Sequence, residues 1–451
     1  MRARSTSHLS VNFRMGLFTL ALFFAPLLIK AQDSLATQTD DLFDMSLEEL
    51  LKIKVTELDR KLKVYGYINT NAAKQFGFPS VNSEGKTRRE NDPFTWTPVK
   101  DFHLYGSAYL SEKIDVLFNL AYNSTGGLEI RNAWGNFKIS SALQVRAGKM
   151  YRRFGLYNEK LDQIPTFIGI EPPEIFDTDH LFVTRTTSFM LHGNWYMGTV
   201  NFQYSLTTEN AEGGETKGVV PIGWDFRLKS DRKSFVFGTS GFSSSMNSNK
   251  TTSTVKFGDG PPNGGILPWM DGDNFFLTGA FLEKQVGKLN IQAEYWISMH
   301  NAFRNPDNVL TIVKDAGINS HQRERFLGAN SSKANDQLTT ADVVVPVKYN
   351  VQTYYIRLGY NLESSIGQFV PYLFLDWMSH PEVINNKTYG GDKESGLADD
   401  GVFYKTSAGV VYRPIPVVAI KLDGSIHTQK FNGASTSYPE VRLDFSWAFK
   451  N

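Results

Sequence analysis

The basic residues of this chain recur where an alternating pattern would gather them on one wall. Arg131, Arg146, Arg357, Lys421 and Arg442 each lie in a stretch of alternating apolar and polar residues and fall on its polar side; Lys149, Arg152 and Arg153 follow Arg146 closely. Acids come next, Glu159, Asp162, Glu171, Glu174, Asp177 and Asp179, against only Lys160 and Arg185 in the same run. A ring of basic side chains in a low-dielectric passage concentrates anions, whereas acids facing bases set a transverse field that screens solutes by polarity. The same residues also fit plain ion pairs on the wall of an aqueous lumen. The residues assigned to a pore lining or its constriction are Arg131, Arg146, Lys149, Arg152, Arg153, Arg357, Lys421, Arg442, Glu159 and Asp162.

Other chemistries find less support. The eight histidines include no HExxH, and no GxSxG occurs. His192, with Ser188 and Asn194 on its face, raises a barrel hydrolase, against which stands a histidine that simply lines a lumen. The acidic pieces DGDN (Asp271 to Asn274) and GGDKESGLADDG (Gly390 to Gly401) lack the full twelve-residue calcium pattern and read as solvated turns. GDGPPNGG (Gly258 to Gly265) is a loop, since no lysine-serine pair or helix follows it. With no cysteine, disulfides and thiolate metal sites are excluded. A net charge of +1 gives nucleic acid no reason to bind. No catalytic residue, metal or cofactor is assigned.

The elements that must position these residues are strands. Ile114, Val116, Phe118, Leu120 and Tyr122 alternate with polar Asp115, Asn119 and Asn123; Val200, Phe202, Tyr204 and Leu206 alternate with Asn201, Gln203, Ser205 and Thr207. Ile222 to Lys229 and Leu289 to Ser298 behave alike, and Val441, Leu443, Phe445, Trp447 and Phe449 carry the pattern to the end of the chain. The apolar faces suit lipid and the polar faces water. Tyr122, Trp195, Trp377 and Tyr412 suit an interfacial aromatic girdle. Short turns at Ser111, Ser140, Tyr196, Ser230, Val286, Glu363 and Arg413 are read as alternating strictly with longer connections beginning near Phe76, Ser124, Phe154, Thr208, Ser244, Asn301, Ser379 and Lys430. These connections predict an all-β fold, an antiparallel transmembrane barrel of about 16 strands. The stretch Leu143 to Arg185 interrupts the period: a strand feeds a long segment broken by Pro165, Pro172 and Pro173. Counting hairpins makes it the third long loop, between the fifth and sixth strands, and the one expected to turn inward.

The chain has 451 residues, 13% of them aromatic, and a mean hydropathy of -0.29. Arg2, Arg4 and Arg14 precede an apolar run from Leu17 to Ile29 that is too short to span a bilayer, which predicts a secretory signal peptide over 1–31. A segment 32–61 follows, with a short amphipathic periplasmic helix capped by Ser46 and Glu49, and then the barrel, 62–451.

The segments GKMYRRFGLYNE (Gly148 to Glu159), IGIEPPEIFDTDHLFVTRTTSFMLHG (Ile168 to Gly193), QFVPYLFLDW (Gln368 to Trp377) and VVYRPIPVVAIKLDG (Val410 to Gly424), with the terminal strand, resemble the phosphate-selective porin O and P family and porin-like relatives. The resemblance implies a Gram-negative outer-membrane barrel, usually a homotrimer, whose third extracellular loop folds into the pore and passes small hydrophilic or anionic solutes such as phosphate. The family's arginine-rich constriction is not matched: the basic start and acidic remainder of this loop point to a mixed-charge filter. A non-conducting barrel with a receptor or adhesion surface, built on loops such as Asn301 to Tyr349, is the alternative.

Overall fold

The computed structural model describes residues 62–81, 87–90, 94–124, 127–176, 185–209, 220–230, 234–247, 267, 269–315, 318–382, 384, 400–431 and 433–450. The expected signal peptide, the Ser46 helix, Asp177, Asp179, Gly258 to Gly265 and nearly all of Gly390 to Gly401 lie outside them.

Alternating residues with period two form β1 (Leu62–Gln75), β2 (Thr95–Ser111), β3 (Ile114–Asn123), β4 (Gly127–Ser140), β5 (Leu143–Tyr151), β6 (Arg185–Met197), β7 (Val200–Glu209) and β8 (Ile222–Ser230). They continue as β9 (Phe235–Asn247), β10 (Met270–Val286), β11 (Leu289–Arg304), β12 (Pro346–Tyr360, resumed at Leu362–Ser364), β13 (Gly367–Ser379), β14 (Val402–Arg413), β15 (Val418–Phe431) and β16 (Ala434–Lys450). Each strand is antiparallel to the next, and β16 returns to β1 in register from Tyr65↔Lys450 to Gln75↔Glu440. Sixteen staves therefore close into a barrel with no free edge, so backbone donors and acceptors are met between neighbours.

The faces are chemically opposite. Outward positions such as Leu128, Ile130, Phe137, Phe189, Tyr295, Leu375, Ile426 and Leu443 are exposed and apolar. Inward neighbours such as Asn119, Asn132, Asn136, Asp225, Gln292, Asp376 and Asp444 are buried and polar. A soluble barrel has no reason to put its apolar side chains outside and its charges inside; a barrel in a bilayer requires it. Among the described residues no helix is long and apolar enough to cross a membrane.

One rim carries six of the expected short turns, after Ser111, Ser140, Met197, Val286, Ser364 and Arg413; residues 231–233 of the seventh lie outside the described residues. The other is less regular than the sequence pattern suggested. The connections after Asn123 and Phe431 are tight, three and two residues long, not long loops. The pair Asn432-Gly433 accounts for the second: Gly433 has φ +75°, the left-handed backbone that two-residue hairpins demand. DGDN is not a turn; it lies inside β10, where Asp273 bonds His300 at 2.6 Å. The connection from β11 to β12 holds two helices, α1 (Pro306–Asp315) and α2 (Ser320–Leu327), the latter started by a capping box of Asn319 and Gln322.

Candidate functional site

The segment after β5 leaves the wall because its backbone is captured elsewhere. Gly155 N–H donates to Ser240 Oγ at 3.1 Å and Leu156 N–H to Glu294 Oε1 at 2.8 Å. Glu294 is held in turn by Tyr355 OH at 2.7 Å and Trp296 Nε1 at 2.9 Å. The approach is so close that a Cβ on Gly155 would sit 2.3 Å from Glu294 Oε2, and its φ of +59° also asks for glycine. Phe154 stacks on Trp296 with ring centroids 4.2 Å apart, and the buried Arg152 guanidinium lies 3.8 Å from the Phe242 ring centroid. This part of the loop rests on β8 to β11.

The chain then crosses to the opposite sector. Asp162 reaches β2 to β4: its carbonyl accepts from Tyr105 OH at 2.8 Å, and its carboxylate from Asn119 Nδ2 at 3.2 Å and Arg131 Nη1 at 3.4 Å. Arg131 occupies a bulge, since Leu120 pairs with Ile130 and Asn119 with Asn132, and it also pairs with Glu129. Between the two sectors Glu159 takes Arg153 at 3.4 Å and Arg227 at 3.5 Å. Burial raises the Glu159 carboxyl, but the guanidiniums of Arg153, Arg227 and Arg146 outweigh it and hold the group down at about 2.

The remainder runs along β12 to β16, where wall cations hold loop carbonyls. Lys421 Nζ donates to Ile164 O at 2.5 Å and Gly169 O at 3.0 Å, Arg413 Nη2 to Pro165 O at 2.5 Å, and Arg357 Nη2 to Glu171 O at 3.0 Å. Arg357 also donates to Tyr157 OH and lies 4.1 Å from the Phe374 ring centroid. The Glu171 carboxylate bridges Arg442 and Lys405, and Arg442 also holds Glu440 at 2.8 Å. Phe167, Ile168, Ile175 and Phe176 pack here with Val351, Val370, Phe374, Val411 and Ala419 in one apolar cluster. Each such side chain withdrawn from water contributes about 1.5–3 kcal/mol.

Eight of the ten assigned residues therefore fall into two groups. Arg131, Arg146, Arg153, Glu159 and Asp162 come together on the β1 to β6 side. Arg357, Lys421 and Arg442 stand apart from them, engaged with the loop's second half, and Arg152 is sealed against Phe242. Lys149 is partly buried on β5, in register with the exposed Ala133. Lys405, Arg413, Tyr105 and Asn119 also hold the loop and were not singled out from sequence, although alternation places Lys405 beside Phe403 and Ser407 on the inner face. His192 Nε2 is 2.8 Å from Asn136 Oδ1, in a row of wall amides that includes Gln144.

Beside the loop, on the β1 to β6 side, lies a cavity of about 180 Å³ bounded by Tyr65, Tyr105, Trp134, Arg146, Glu159 and Asp162, among others. Among the described residues no cluster of three or more histidine, aspartate or glutamate side chains could hold a metal.

No known family matches this chain, and no curated protein matches it. Solved structures with similar backbones include an anion-selective porin from Comamonas acidovorans, 11% identical with a TM-score of 0.49, covering 86% of this chain and 99% of that one. The outer membrane channel DcaP of Acinetobacter baumannii is also 11% identical, at a TM-score of 0.49 and coverage of 88% and 100%. OmpT, an outer membrane protein of Vibrio cholerae, is 7% identical, at 0.49, with coverage of 87% and 100%. The barrel assignment stands on the chain's own pairing and face chemistry.

Proposed function

We propose that the protein is a passive porin of a Gram-negative outer membrane, in which small hydrophilic solutes diffuse through a lumen narrowed by the segment between β5 and β6. The observation that carries this reading is the fixing of one segment to three sectors of a closed barrel, through Glu294, then Asp162, then Lys421 and Arg357. A segment held in this way narrows an otherwise wide lumen of sixteen staves. The passage runs on the β1 to β6 side, because the other side is filled by the apolar cluster. There Arg131, Arg146 and Arg153 face Glu159 and Asp162, a mixed-charge lining suited to screening by polarity more than to a phosphate relay. The homotrimer is proposed from resemblance to the porin O and P family.

Planar-bilayer recording from folded, heat-modifiable protein tests the reading. Discrete ion-conducting steps with weak selectivity in a salt gradient are expected. Silence from folded protein would refute it and favour the second reading, a surface-binding barrel, whose support is the packing of α1 and α2 residues Val309, Ile312 and Phe326 into the same apolar cluster that fills part of the lumen.

A further inference from the structure

Most basic side chains described above are committed. Arg131, Arg227, Lys405 and Arg442 each have a carboxylate; Arg357, Arg413 and Lys421 hold loop carbonyls. Arg146 differs. Its guanidinium lies over the Trp134 ring, 4.0 Å from the centroid, and makes no hydrogen bond or ion pair with a described residue; its Nε is buried without a partner. A guanidinium stacked through its face leaves its in-plane N–H groups directed away from the ring, and here the adjoining space is the cavity of about 180 Å³.

The rest of the cavity limits what those donors can meet. Its two acids are already neutralised, Asp162 by Arg131 and Glu159 by Arg153 and Arg227. Arg131 also pairs with Glu129 and Arg227 with Asp225, so acids and guanidiniums here balance in number, and Arg146 is the lining cation with no hydrogen-bonded partner among the described residues. The body of the cavity is supplied by Tyr65, Tyr105, Leu117, Trp134 and Met150, with Asn132 and Gln163 as amides. A planar cation without a hydrogen-bonded partner, at a cavity that is walled in part by tyrosine and tryptophan rings, fits a planar carboxylate on a compact aromatic body, because guanidinium and carboxylate match in two parallel hydrogen bonds. Inorganic phosphate is a poor fit: near neutral pH it carries more charge than one guanidinium balances, and nothing in it uses the aromatic walls.

We propose that this cavity is a binding site for small organic monocarboxylates, with Arg146 taking the carboxylate. The proposal rests on the porin reading in placing the site along the solute's path, but binding itself does not require conduction.

The test is calorimetric titration of the detergent-folded full-length protein with sodium benzoate, benzamide and sodium phosphate. Saturable benzoate binding is expected, weakened at least about tenfold in Arg146→Gln, partly retained in Arg146→Lys, and at least about tenfold tighter than that of benzamide or phosphate. Each variant is first shown to keep its heat-modifiable mobility, so loss of binding is not loss of fold. Absence of saturable benzoate binding to the wild type, equal binding by Arg146→Gln, or benzamide or phosphate binding as tightly as benzoate would overturn the proposal. Because heat is read without ion flow, a silent bilayer would refute the porin reading while this result still stands or falls alone.

Discussion

Two sectors of the inner wall carry the same residue types and use them differently. On β12 to β16, Arg357, Arg413 and Lys421 spend their donors on the carbonyls of Ile164, Pro165, Gly169 and Glu171, inside an apolar cluster. On the β1 to β6 side, Arg131 and Arg153 face carboxylates and Arg146 faces a cavity. Inward direction is common to both, so direction alone does not make a cation part of a filter. What distinguishes them is whether the loop's backbone or open space lies opposite.

The comparison breaks hardest if the loop comes off the wall. Gly155→Val adds a Cβ where Glu294 and Trp296 stand and forces a β-branched residue to a φ of +59°, so a loss of about 3 kcal/mol or more in folded stability is expected. Denaturant unfolding in detergent measures it, and surviving channels should show larger, noisier conductance. Lys421→Met should cost less: it leaves two buried carbonyls without their donor, at about 1–3 kcal/mol each, with little change in ion selectivity. A selectivity change without a stability change in Lys421→Met would erase the distinction between the sectors.

Much of this was legible in the sequence and some of it was not. Alternation at Ile114 to Tyr122, at Leu289 to Ser298 and along the final strand gives both faces, because a strand's side chains have a period of two whatever their neighbours. The prolines at 165, 172 and 173 mark the segment that cannot pair. The carbonyl contacts could not be read, since Lys421 and Ile164 are 257 positions apart and meet only because the barrel closes. Nor could the bulge at Arg131, which breaks the local period at a polar position. The tight connection at Asn432-Gly433 and the helices α1 and α2 had local signals, the turn pair and the Asn319 to Gln322 box; a pattern of strictly alternating short and long connections conceals both.

Smaller effects are expected on the β1 to β6 side. Arg146→Gln combined with Arg153→Gln should shift the reversal potential toward cations, with a smaller stability loss than Gly155→Val because Arg227 still pairs with Glu159. Glu159→Gln should shift it the other way, toward anions, by freeing Arg153, while Arg227 keeps Asp225 at 2.6 Å. The sign with pH follows from the depressed carboxyl. A group lowered from 4.5 to about 2 contributes its ion-pair stabilisation fully above about pH 4.5 and loses it as pH falls through about 2. The difference in reversal potential between wild type and Glu159→Gln should therefore persist from pH 7 to about pH 4; its disappearance near pH 5 would show that the arginines do not hold Glu159.

The central claim is that the loop divides the lumen and leaves the passage on one side only, and the absence of native cysteine allows a direct measurement. Asn132→Cys places a thiol at the cavity and Ser425→Cys places one on the buried inner face of β15. Single-channel current is recorded while a trimethylammonium methanethiosulfonate is added to each. The account predicts stepwise loss of current in Asn132→Cys and none in Ser425→Cys; block of Ser425→Cys, or an unaffected Asn132→Cys, would contradict it.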